Sequence, residues 1–263
     1  MCVQKQLPFK RYYLHMNNRM IHYILAIIIA FLFACNPVYR ASSVQFKEYP
    51  VNSLQKDSAF QLFLQPYADS VNSSMNAVIA QLAVDVDKRQ PESTLGNLMA
   101  DAMKVIGEKY YHTTIDASFV NYGGIRIPSV KAGAITRGKV FEMMPFDNII
   151  VLQKLKGTVL KEFLDHVAGR GGWPVSGITM QINNKKAENI MIGGKALDLN
   201  AVYTIANSDY VANGGDDCAM LRIIPQINGG YLFRDALIEY FTMFGKEGKP
   251  ISMTIQNRVT NAQ

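Results

Sequence analysis

From residue 93 to about 110 the chain repeats its apolar positions with a helical period. Leu95, Leu98, Met99, Ala102, Met103 and Ile106 fall at i, i+3, i+4, i+7, i+8 and i+11. A continuous face of that kind predicts a helix lying on a core. Ser93 or Thr94 is suited to cap its start, and Glu92 to sit near its positive end. Helical stripes recur at 158–167, after Gly157, and at 232–244, and an amphipathic helix is expected from Ser58 through Phe60, Leu62, Phe63 and Leu64 to Met75. Short apolar runs predict strands at 77–86, 117–120, 149–155, 178–182, 189–192 and 203–206, with a closing strand at 251–255. Helices and strands do not alternate with a regular βαβ rhythm. The expected fold is therefore α+β, one domain over 58–263 with a mixed β-sheet and packed helices.

The front of the chain follows another pattern. Residues 1–40 carry Lys5, Lys10, Arg11, Arg19 and Arg40 and no acidic residue, and 21–34 is almost wholly apolar. A basic stretch followed by an apolar run of this length predicts an export signal at 1–34, and it is short for a spanning helix. The run ends at Leu32-Phe33-Ala34-Cys35, which resembles a bacterial lipobox and makes Cys35 the expected lipidation site, with a polar tether over 35–57. An uncleaved anchor is the alternative. The expected location is a membrane-anchored lipoprotein facing the periplasm or cell surface.

Removal of 1–34 takes away Lys5, Lys10, Arg11 and Arg19, leaving two of the six net positive charges. The sequence pI of about 9.1 thus belongs largely to the signal. It is therefore no argument for nucleic-acid binding, which calls for a basic stripe on the folded domain, and no nucleic-acid partner is expected. Of the three cysteines, Cys2, Cys35 and Cys218, the last has no partner for a disulfide in the exported chain. Cys218 reads as a packing residue, with a reactive thiol as the alternative.

The densest candidate chemistry lies at Asn121-Tyr122-Gly123-Gly124-Ile125-Arg126, followed by Gly133-Ala-Ile135-Thr136 and Pro145-Phe146-Asp147-Asn148. Two glycines and an arginine after an apolar run suit a sharp backbone turn that offers N–H groups and a guanidinium to an anion. Upstream stands Leu95-Gly-Asn-Leu98 with Asp101-Ala102, and downstream Tyr210-Val-Ala-Asn-Gly214-Gly215-Asp216.

These three blocks, in this order, resemble the C-terminal, substrate-binding domain of the 5′-nucleotidase family, metallophosphatases that hydrolyse nucleotides and UDP-sugars. The resemblance runs from about Val84 to Val259. It implies a nucleotide or nucleoside ligand whose base is held between two rings, at positions occupied here by Phe146 and Tyr210. The alternative is that one or both rings are ordinary core aromatics, but for a pair flanked by Gly-rich turns the binding site is the favoured reading. Asn121, Asn148 and Asp216 would read base and ribose, because an amide matches a base edge and a carboxylate accepts ribose hydroxyls. Arg126 would meet the phosphate end, with Arg89 as a second basic position.

Three positions depart from the family's pattern. Tyr122 replaces the first glycine of a Gly-Gly-Gly-Ile-Arg run, and Asp217-Cys218 replaces Gly followed by an aromatic. Tyr210 stands where many members have Phe, which keeps the stacking face, so that a phenylalanine here is expected to be nearly silent.

The family's catalytic half, a metallophosphoesterase domain with Asp-x-His and Gly-Asn-His-Asp/Glu blocks, has no counterpart in this sequence. The only histidines are His15, His22, His112 and His166. No metal site or cofactor is expected in the chain, no catalytic residue is assigned, and the two divalent metals are expected on a metallophosphoesterase partner. The chain itself is expected to be inactive alone. The competing readings are a stand-alone nucleoside- or nucleotide-binding surface lipoprotein, and a domain kept for structural or surface-interaction duty.

Overall fold

A computed structural model describes residues 57–262, together with the scattered positions Arg19, His22, Tyr23, Leu25, Ile29, Ser43, Gln45, Phe46 and Lys47. By internal contacts the chain forms two units, Met1–Lys56 and Asp57–Gln263. The expected signal at 1–34, the lipidation site Cys35 and nearly all of the tether at 35–57 lie outside the described residues. Among the described residues no helix is long and apolar enough to cross a membrane.

The second unit opens with α1 (Ser58–Met75), whose first N–H groups are capped by the Asp57 carboxylate. Then come β1 (Val78–Leu82) and β2 (Val86–Asp87), where a single strand over 77–86 was expected. The exposed 83–85 segment separates them, so that β1 pairs with β5 (Gly133–Thr136) and β2 with β4 (Ser129–Val130).

Helix α2 (Thr94–Tyr111) is the helix expected from the apolar period. The Ser93 hydroxyl accepts the Gly96 N–H at its start. Leu95, Leu98, Met99, Met103 and Ile106 are all at most 1% exposed. Burial of side chains of this size contributes roughly 1.5–3 kcal/mol each.

Strand β3 (Ala117–Phe119) follows, then α3 (Arg137–Met143), β6 (Ile149–Lys156), α4 (Gly157–Gly169), β7 (Val175–Ser176), β8 (Ile178–Asn183), β9 (Lys186–Ile192), β10 (Lys195–Ala196), β11 (Val202–Ser208), the one-turn α5 (Asp209–Ala212), β12 (Gln226–Leu232), α6 (Phe233–Lys246) and β13 (Val259–Asn261). The closing strand is therefore 259–261 and not 251–255. Ile251 makes only an isolated bridge to Leu82, whereas β13 pairs in parallel with β8. The apolar run at 251–255 had marked buried positions, Ile251 and Met253, without a partner strand for the rest.

The central sheet has the order β12-β6-β11-β3-β7 and is mixed: β11 is parallel to β3 and antiparallel to β6. Ile150, Leu152 and Ala206 join a core with α2 and α6. Ala117, Phe119, Leu155 and Ile205 join a second core with α4, Trp173 and the second sheet, β10-β9-β8-β13. The sheet is thus sandwiched between two apolar layers, an α+β architecture.

This topology assembles one rim. Ala206 stands opposite Ser118, and Ser208 opposite Ile150. The carboxyl ends of β3 and β11 and the amino end of β6 consequently lie together. The segments beginning at Asn121 and Tyr210, and the one ending at Asn148, all leave the sheet at that edge.

Candidate functional site

A cleft of about 320 Å³ opens at this rim, lined by Asn121, Gly123, Gly124, Arg126, Phe146, Asn148, Tyr210 and Asp216. Six of the seven expected site residues are in that lining. Phe146 and Tyr210 are 37% and 46% exposed, so neither is a core aromatic.

The first wall is the 3₁₀ turn Tyr122–Gly124, which follows β3. A Cβ on Gly124 would stand 2.7 Å from Oδ1 of Asn121, so a side chain there would displace the amide. Asn121 is buried and donates Nδ2–H to Oδ2 of Asp216 at 2.7 Å. Arg126 bonds back to the Gly123 carbonyl at 3.3 Å, and its guanidinium carbon lies 5.5 Å from the centre of the Phe146 ring. One wall thus carries both an amide and a cation beside a ring face.

The second wall is the loop between α3 and β6. It is held from outside the cleft by Arg234, at the start of α6. Nη1 of Arg234 donates to the Phe146 carbonyl at 3.2 Å and Nη2 to Asp147 at 2.6 Å, while the guanidinium covers the Phe141 ring at 4.3 Å.

The third wall is the turn after β11. Gly214 has φ +90°, and Asp216 and Asp217 have φ +50° and +61°, the left-handed region that non-glycine residues seldom occupy. Asp216 is held there on several sides. Its carboxylate takes the Asn121 bond, its N–H donates to the Tyr210 hydroxyl at 3.2 Å, that hydroxyl lies 3.2 Å from its Oδ1, and its carbonyl lies 2.8 Å from Nε2 of His166. Arg170 forms an ion pair with Asp217. The 169–174 loop therefore braces this turn through Arg170, and its Trp173 is buried in the second core.

Arg89 is the expected residue that the cleft does not gather. Its side chain is 57% exposed, pairs with Asp87 at 3.5 Å, and is not in the lining. The neighbouring Lys88 points the other way: Nζ donates to the Ile125 carbonyl at 2.8 Å and lies 4.1 Å from the Tyr122 ring centre. Burial, with the charge of Arg126 added, lowers the pKa of Lys88. The reason for the exchange is the period of an extended chain. Residues 86 and 88 share a face, Val86 is buried, and Arg89 falls on the opposite side.

Sequence reasoning missed both Lys88 and Arg234. The first could have been found from its two-residue spacing to Val86. The second could have been found as the single cation inside the apolar start of the 232–244 stripe. Among the described residues no three His, Cys, Asp or Glu side chains are grouped to hold a metal ion. Cys218 is fully buried, and desolvation first, then Asp216, pushes its thiol pKa up to about 12. That is the setting of a packing residue.

Residues 77–223 match the family described as 5′-nucleotidase, C-terminal domain. The chain is 30% identical over 200 residues to the 5′-nucleotidase of Vibrio parahaemolyticus serotype O3:K6, covering 72% of this chain and 34% of that protein. It is 29% identical over 200 residues to the 5′-nucleotidase of Vibrio vulnificus, covering 72% and 35%. Among solved structures, the 5′-nucleotidase precursor from Thermus thermophilus is similar with a TM-score of 0.66 at 26% identity, over 79% of this chain and 44% of that one. The chain spans about a third of the length of these curated relatives.

Proposed function

As the chain belongs to the 5′-nucleotidase C-terminal domain family, we propose that its rim cleft binds a nucleotide or nucleoside and presents the phosphate to a separately encoded two-metal phosphoesterase. The observation that carries this reading is the convergence of two half-exposed rings, a carboxylate and an arginine on one cleft, from three segments far apart in sequence. Flat rings suit the faces of a nucleobase. Asp216, steadied by Asn121, accepts ribose hydroxyls, and Asn148 and Asn121 offer amides to polar edges. Arg126, with Lys88 behind it, provides the positive end toward which a phosphate is drawn.

In this arrangement the chain contributes position. Stacking and charge hold the scissile phosphate in one place, which converts a diffusive encounter into an oriented one. The partner's metals, when bound to the partner, supply the activated water and the charge compensation for hydrolysis.

The test is calorimetric titration of the purified exported chain with adenosine and AMP, beside an assay of AMP hydrolysis with Mn²⁺, Zn²⁺ or Mg²⁺. Binding without hydrolysis is expected, with hydrolysis appearing when a phosphoesterase co-purified from membranes is added. Absence of binding to any nucleoside or nucleotide overturns the recognition role. Metal-dependent hydrolysis by the chain alone overturns the division of labour. Binding with no phosphoesterase recovered favours the stand-alone binding lipoprotein.

The proposed address is outside the cytoplasm, tethered through lipid on Cys35, motivated by the basic, acid-free front and the apolar run that ends at that cysteine. Stable anchoring needs the acyl chains on that thiol. Cys35→Ser should release the protein from the membrane fraction, and unchanged fractionation with an unprocessed N-terminus would support the uncleaved anchor.

A further inference from the structure

We infer that the Tyr210 hydroxyl is a positioning group that ties the stacking ring to the Asp216 carboxylate, making the cleft selective for ligands with a ribose diol over the base alone. This rests on the nucleoside reading of the site.

The hydroxyl does two jobs at one residue. It accepts the Asp216 N–H at 3.2 Å and lies 3.2 Å from Oδ1 of the same residue, to which it donates. Asp216 has φ +50° and ψ +36°, so its backbone sits where an L-residue is held only by its surroundings. The Tyr210 hydroxyl and the His166 ring nitrogen meet its N–H and its carbonyl respectively. With phenylalanine at 210 the N–H loses that acceptor and Oδ1 loses its donor.

The acceptor count shows what the hydroxyl leaves available. An ionised carboxylate has about four acceptor positions. Asn121 takes one on Oδ2 and Tyr210 one on Oδ1. One position is left on each oxygen, the pattern that two adjacent hydroxyls of a ribose can fill.

The turn is also shaped around the tyrosine. A Cβ on Gly215 would stand 2.5 Å from Cε1 and Cζ of the Tyr210 ring, so only glycine lets the ring lie against the 215–216 backbone. Ring, hydroxyl and carboxylate form one packed unit, and the ring's stacking face is separable from its hydroxyl by a single oxygen atom.

Tyr210→Phe tests this, because the stacking face stays and the tether goes; the residue type alone predicts a nearly silent change, and the two hydrogen bonds of the hydroxyl to Asp216 replace that expectation. Calorimetry with adenine, adenosine and 2′,3′-dideoxyadenosine, on the parent and the variant, separates the parts. Adenine binding is expected to stay within about twofold. Adenosine binding is expected to weaken roughly ten- to hundredfold, and the preference for adenosine over the dideoxy nucleoside to shrink by a similar factor, the scale of a lost hydrogen bond to a charged group. Asp216→Asn should weaken adenosine less in the Tyr210→Phe background than in the parent. A variant that keeps the parent's adenosine-to-dideoxyadenosine ratio, or that loses adenine as strongly as adenosine, overturns the positioning role while nucleoside recognition stands. A parent that binds none of the three ligands overturns both. A melting curve on each variant reports whether the fold is retained, and Asp216→Asn alone in the parent decides the diol contact if the Tyr210 variant does not fold.

Discussion

Arg234, which does not line the cleft, grips the loop that carries Phe146, with 3.2 Å from Nη1 to the Phe146 carbonyl and 2.6 Å from Nη2 to Asp147. The guanidinium is nearly buried, while its carboxylate partner is largely exposed. The bond to the carbonyl therefore matters for the ring, and the pair with Asp147 is softened by solvent.

Arg234→Met keeps the stem and removes both bonds. It should speed amide exchange across 144–148 and weaken nucleotide binding about three- to tenfold, with a stability loss of about 1–2 kcal/mol. Hydrogen exchange read by mass spectrometry, beside calorimetry, checks this. An unchanged exchange pattern would show that the loop does not depend on Arg234.

Phe146→Ala and Tyr210→Ala each remove one stacking face. Each should cost at least about 1–3 kcal/mol of nucleoside binding, a loss of roughly ten- to hundredfold, with the melting temperature nearly unchanged for Phe146→Ala, whose ring is half-exposed, and lowered for Tyr210→Ala, which also loses the hydroxyl that holds Asp216. Two folded variants that bind as the parent does would assign the rings to the surface alone.

Arg126→Ala should leave adenosine binding within about twofold and weaken AMP, and Lys88→Ala should do the same more mildly. Lys88 adds a pH signature. Its pKa is lowered from the ordinary 10.5 by burial and by Arg126, so it loses its charge below that value as pH rises, whereas an arginine stays charged. AMP affinity should therefore fall on the alkaline side before pH 10.5, adenosine affinity should not, and Lys88→Ala should abolish the difference. Titrations across roughly pH 7 to about 10 decide it.

Cys218, with its pKa pushed up to about 12 by burial and by Asp216, is kept in the thiol form. Iodoacetamide should leave the peptide carrying Cys218 unmodified in the folded protein and label it fully in guanidinium. Rapid labelling of the native state would reopen a role for this thiol.

The helices were legible in the sequence because a helix writes its buried face locally. Leu95 to Ile106 show the period themselves, and Ser93 marks the start of α2 within the same few residues. The Gly-Gly-Ile-Arg and Gly-Gly-Asp blocks were legible for a related reason: sharp turns demand glycine wherever the chain goes next. Pairing partners are a different matter. The apolar residues at 251–255 look like a strand, yet the closing ladder forms at Val259–Asn261, because β8 offers its free edge there. Likewise, β11 parallel to β3 and antiparallel to β6 brings Asn121, Asn148 and Tyr210 to one rim, and no local pattern encodes that order. The tertiary structure also decided which cation faces inward, since the alternation of an extended chain beside the buried Val86 turns Lys88 toward Tyr122 and Arg89 toward solvent. Residue types and turns are set by near neighbours in the chain, whereas the choice among similar side chains is made by the partners that long-range strand pairing brings within hydrogen-bonding distance.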